Sequence, residues 1–128
     1  MSDPNKSQGS IGLSRMVKIT HGHKDKLDKL LKNTIKTLQD YRREFLHKVE
    51  QNDSEGLDLL IHTSTMTLYY IEAERLDGLM RQTKQFLAQK TDKVGLSTSI
   101  EETLSEFKAV MHNLEKMDLD QVLREHSR

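Results

Sequence analysis

Apolar residues recur along this chain at intervals of three and four, the spacing of one helix face, and they do not alternate between turn residues as strands would. The opening stretch LSRMVKIT is short and is broken by His21-Gly22-His23. A long run follows, KDKLDKLLKNTIKTLQDYRREFLHKVEQ, with one stripe of Leu27, Leu30, Leu31, Ile35, Leu38, Phe45, Leu46 and Val49. As a helix it spans about 40 Å. Asn52, Asp53 and Ser54 supply turn formers and an N-cap for the next segment. That segment places Leu57, Leu60, Ile61, Ser64, Leu68 and Ile71 on one face. A fourth carries Leu76, Leu79, Met80, Phe86 and Leu87, and the pattern allows either a break or a bend near Glu72. TDKVGLSTS reads as a connecting loop, with Ser99 and Glu102 as a capping box opening the last long helix. Its stripe is Ile100, Leu104, Phe107, Val110, Met111 and Leu114.

Proline occurs only at position 4, so nothing after it interrupts helix. Long helices with one apolar face and short connections predict an all-α fold. The expected architecture is an up-down antiparallel four-helix bundle with a short N-terminal helix laid across it. Residues 1–10 are expected as a flexible tail, 11–115 as the bundle, and 116–128 as a short C-terminal tail that adds one turn or frays.

Composition narrows the chemistry. Charged residues make up 31% of the 128, with Lys plus Arg matching Asp plus Glu at 20 each, so net charge gives no reason to expect nucleic acid. The charge is uneven: residues 15–50 hold ten basic and five acidic side chains, residues 53–77 one basic and six acidic. Attraction between neighbouring helices is the simplest expectation. Cysteine is absent, which removes disulfides, thiolate nucleophiles and cysteine metal sites and fits a reducing, cytoplasmic setting. No apolar run reaches the roughly 18 residues of a membrane span. No phosphate-binding glycine loop or HxxxH pair occurs. His21 and His23 flank Gly22 without an evident third ligand.

Among six histidines, His62 stands out. It lies one step from the buried stripe of its helix, on a ridge with Leu59, Thr65, Met66 and Tyr69. An apolar edge around a titratable centre predicts a docking surface, with Leu59, Met66 and Tyr69 as the partner contacts.

This stretch resembles the histidine-containing phosphotransfer (HPt) family. There a helix bears the phosphoacceptor histidine, commonly with Lys at +3, a small residue at +4, an apolar residue at +9, Gly-Ala at +10 and +11, and Leu at +14. Here the corresponding residues are Thr65, Met66, Ile71, Glu72, Ala73 and Leu76, and IEAERL is similar to the family's IGAxxL. The resemblance extends over residues 11–115, including GLSRMVKITHGHKDKLDKLLKNTIKTL and the turn LHKVEQNDSEGLDLLIHTS. It implies a phosphocarrier with His62 as acceptor. The partner is the receiver domain of a response regulator or hybrid histidine kinase, which brings the aspartate and Mg²⁺. The carrier itself needs no cofactor and works as a monomer. With Lys absent at +3, Thr65, Arg81 and Lys84 are the candidates to stabilise a phosphoryl group. The alternative is an HPt-like bundle that binds a receiver or kinase without being phosphorylated.

Overall fold

The computed structural model describes residues 7–126, and among these all regular structure is helical. Six helices run α1 Ser14–Ile19, α2 Lys24–Glu50, α3 Ser54–Tyr70, α4 Glu74–Gln89, α5 Lys93–Glu115 and α6 Leu119–His126. The chain breaks at Glu72 rather than bending. Each long helix packs on the next, and α5 returns to α2. The core between them is built from the stripes: Leu27, Leu31, Leu38, Phe45 and Val49 of α2 are buried, as are Phe107, Val110 and Leu114 of α5. The Phe45 and Phe107 rings meet 6.0 Å apart and join α2 to α5.

Helix ends follow local chemistry. Asp53 accepts a hydrogen bond from the Gly56 N–H at 2.8 Å, and Asp92 does the same from Gly95 at 2.8 Å. These carboxylates cap α3 and α5. A Cβ on either glycine would collide with its capping carboxylate. α5 therefore starts at Lys93, and the expected loop over TDKVGLSTS is largely helix. Ser99 is not a cap but a buried residue well inside α5.

Four helices stop without glycine at the left-handed position. His21, Asn52 and Glu72 have φ of 53°, 54° and 55°, and the fourth is α4 at Lys90, φ 58°. After α3, the Glu72 N–H donates to the Tyr69 carbonyl at 3.1 Å and the Ala73 N–H to that of Leu68 at 2.9 Å. This paired closure satisfies carbonyls that the helix itself leaves open. The same pairing recurs after α1 and α2, through Gly22 N–H to Val17 and Asp53 N–H to Lys48.

Both ends of the described chain are more ordered than expected. Residues 1–6 of the expected tail lie outside the described residues. Residues 7–10 are tied down: buried Gly9 donates to Glu106 at 2.9 Å and accepts from Asn113 at 2.8 Å. After α5 the chain forms α6, which packs on α1 and α2 and buries Val122. An amphipathic turn with an apolar place to dock gains more by ordering than by fraying.

The expected attraction between basic α2 and acidic α3 contributes little. Lys48–Asp53, 3.7 Å, spans their connection, while Lys32–Asp28 and Arg43–Asp40 pair within α2 and Lys24 pairs with Asp120 of α6.

A polar seam joins α4 to α5 instead. Thr83 Oγ1 lies 2.7 Å from Ser99 Oγ and 3.1 Å from Thr103 Oγ1, all three buried. Thr83 also reaches the Leu79 carbonyl at 2.9 Å, and Thr103 that of Ser99 at 2.7 Å. With those two protons used, the Ser99 hydroxyl donates to Thr83 and accepts from Gln82 Nε2. Beyond it Glu106, fully buried, accepts from Arg75 Nε at 3.1 Å as well as from Gly9.

Candidate functional site

α3 is held by its stripe. Leu57, Leu60, Ile61, Ser64 and Leu68 are all buried, and Ile71 closes the row. Asp53 fixes one end of the helix and the closure at Glu72 the other. His62 follows buried Ile61 and is exposed near the middle of this anchored rod. Its ridge is unusually apolar for a solvent face: Leu59 is 68% exposed, Met66 57% and Tyr69 50%. The predicted acceptor and its three predicted docking residues thus come together on one open surface.

Tyr69 is fixed from α1, which sequence spacing could not show. The Arg15 guanidinium lies 4.0 Å from the centre of the Tyr69 ring, and its Nη1 donates to the Tyr69 carbonyl at 2.8 Å. The Tyr70 ring meets Tyr69 edge-on at 5.5 Å. A cation at the last carbonyls of α3 also suits the negative end of the helix dipole. Arg15, Thr65, Tyr69, Glu72 and Asp77 border a shallow cleft of about 280 Å³ beside the ridge.

The three predicted phosphoryl-stabilising groups differ in what they already do. The Thr65 hydroxyl donates to the Ile61 carbonyl at 2.8 Å, so its proton is engaged by the helix backbone. Arg81 Nε pairs with Asp77 Oδ2 at 2.9 Å, one turn back on its own helix. Lys84 alone crosses to α3, where Nζ lies 2.9 Å from Asp58 Oδ1. Asp58 is one turn before His62, on the same face of α3. Sequence reasoning passed over it, although the i, i+4 spacing to His62 was a usable signal. The hydrogen bond and charge of Lys84 hold the Asp58 carboxyl below its ordinary value, with smaller contributions from His62 and Arg81. Asp58, His62, Lys84 and Arg81 therefore form one electrostatic neighbourhood on the α3–α4 edge.

Among the described residues no group of three or more His, Cys, Asp or Glu side chains is arranged to hold a metal ion. Nor is any helix among them long and apolar enough to cross a membrane. No protein-family model, curated protein or solved structure matches this chain.

Proposed function

We propose that this protein is a histidine phosphocarrier of the HPt type, accepting and donating a phosphoryl group at His62. The observation that carries the reading is an exposed imidazole on an anchored helix, bordered by exposed Leu59, Met66 and Tyr69. We read the α2–α3–α4–α5 packing, with its three-residue connections, as an up-down antiparallel four-helix bundle crossed by α1. A further point in favour is Glu72. It occupies the position at which the family has glycine, and its backbone is left-handed at φ 55°. Glycine would adopt that conformation without the roughly 1–2 kcal/mol that other residues incur. Here the Glu72 carboxylate accepts a hydrogen bond from Ser14 Oγ at 3.1 Å, which offsets part of the cost.

The chemistry suits a surface of this kind. A neutral imidazole has a lone pair on one ring nitrogen. That nitrogen attacks the phosphorus of an aspartyl phosphate on the receiver: a P–N bond forms, the P–O bond to the carboxyl breaks, and a free carboxylate leaves. The ring keeps its own proton on the other nitrogen. Charge on the transferring group is stabilised chiefly by the receiver's Mg²⁺ and cations, so the carrier needs an accessible, fixed nucleophile more than a pocket. On this reading the protein acts in the cytoplasm as a monomer and takes receiver domains as partners.

A second reading is favoured by the engagement of Thr65 with Ile61 and of Lys84 with Asp58. In it the same surface binds a receiver or kinase without accepting phosphate. One experiment separates the two. Incubation with a labelled, phosphorylated receiver and Mg²⁺ should move acid-labile, alkali-stable label to this protein, and the His62→Gln variant should take none. Receiver binding that survives His62→Ala with no label on the wild type would establish the second reading instead.

A further inference from the structure

The Lys84–Asp58 pair poses a question that the phosphocarrier reading leaves open. A phosphorylated His62 would carry its new charge one turn from Asp58, beside a carboxylate that is already paired. The pair is open to water, with Lys84 39% and Asp58 59% exposed in their side chains, so holding it together is worth little. A phosphoryl group brings more negative charge than a carboxylate and offers three acceptor oxygens. Lys84 is the one predicted cation already reaching from α4 to α3, and its long flexible stem lets the ammonium swing between neighbouring acceptors. Arg81 is tied to Asp77 on its own helix. The proton of the Thr65 hydroxyl is engaged by Ile61.

We infer that Asp58 is the resting partner of Lys84, and that phosphorylation of His62 draws Lys84 from Asp58 onto the phosphoryl oxygens. Asp58 is then a positioning residue: it holds the ammonium at a carboxylate one helical turn from the acceptor while competing for it. The inference rests on the reading of His62 as phosphoacceptor and adds how the bound group is held. A cation on the phosphoryl oxygens withdraws the electron density that expels imidazole in a loose transition state. Lys84 therefore lengthens the life of the phosphohistidine, and Asp58 shortens it by retaining Lys84.

The test uses potassium phosphoramidate, which phosphorylates accessible imidazole with loss of ammonia and needs no receiver. Phospho-His62 is followed by the ³¹P resonance that is absent from similarly treated His62→Gln, and its lifetime is measured at neutral pH. Lys84→Gln should shorten that lifetime about fivefold, the effect of one unit charge at about 4 Å in water. Lys84→Arg should largely retain it. Asp58→Asn should lengthen it about twofold, the scale of an exposed ion pair. In a Lys84→Gln background the Asp58→Asn gain should shrink, because the two residues act on one another. An unchanged lifetime in Lys84→Gln, or an Asp58→Asn gain equally large in both backgrounds, overturns the exchange. Since no partner protein is involved, such a result leaves receiver transfer unaffected, and failure of receiver transfer leaves these lifetimes meaningful.

Discussion

The α3–α4 edge and the α4–α5 seam both concentrate polar side chains, and they use them oppositely. On the edge, Asp58, His62, Lys84 and Arg81 face water, where pairs are weak and can exchange. In the seam, Thr83, Ser99, Thr103 and Glu106 are buried, and nearly every proton has one acceptor. A buried polar group left unmatched pays its full desolvation cost, whereas an exposed one turns to water. The seam therefore carries folding duty, and the edge is free to carry chemistry.

The largest expected effect lies in the seam. Glu106→Ala leaves the Arg75 guanidinium and the Gly9 N–H without their acceptor and should lower stability by about 3 kcal/mol. Chemical denaturation measures this, and a loss comparable to that of a surface substitution would erase the distinction between the two regions. The pH dependence sharpens it. Burial raises the Glu106 carboxyl above its ordinary value, against the lowering effects of Gly9 and Arg75. An acid that holds its proton more tightly when folded contributes stability at low pH, lost as pH rises through the raised value. That fall should be flatter in Glu106→Gln.

Next in size is Thr83→Val, which keeps the shape but removes the acceptor of the Ser99 hydroxyl. It should cost about 2 kcal/mol, read from the shift in denaturation midpoint at unchanged slope. Ser99→Ala in that background should then add little, since the orphaned hydroxyl is gone.

On the edge the expected change in stability is the smallest. Leu59→Glu or Met66→Glu should alter unfolding by no more than about 0.5 kcal/mol, because neither side chain is in the core. Receiver binding, measured by titration calorimetry, should weaken about tenfold or more, as for a residue at the centre of an interface. A large stability loss with intact binding would reverse the assignment of these residues.

The two regions also differed in how far they could be read from sequence. The stripe of α3 was fully legible: Leu57, Leu60, Ile61, Ser64, Leu68 and Ile71 are all buried, and the leftover ridge of His62 is exposed. Periodicity works there because one apolar face and one solvent face are all that the helix needs. The seam was hidden, because Ser99, Thr103 and Glu106 are polar residue types that look like surface or caps until Thr83 and Arg75 are placed against them. Helix ends were partly hidden too. His21, Asn52 and Glu72 adopt the conformation usually signalled by glycine, and only their backbone angles reveal it. Asp58 and Arg15 were missed because their roles depend on partners in α4 and α3, 26 and 54 residues away.

The central claim is that His62 serves transfer and not folding. The most direct measurement is label transfer from a phosphorylated receiver to wild type and His62→Gln, with the unfolding transition of both proteins recorded in the same buffer. The account predicts coincident transitions, label on the wild type and none on the variant. Label on both proteins, or a variant that loses label only because it no longer folds, would contradict it.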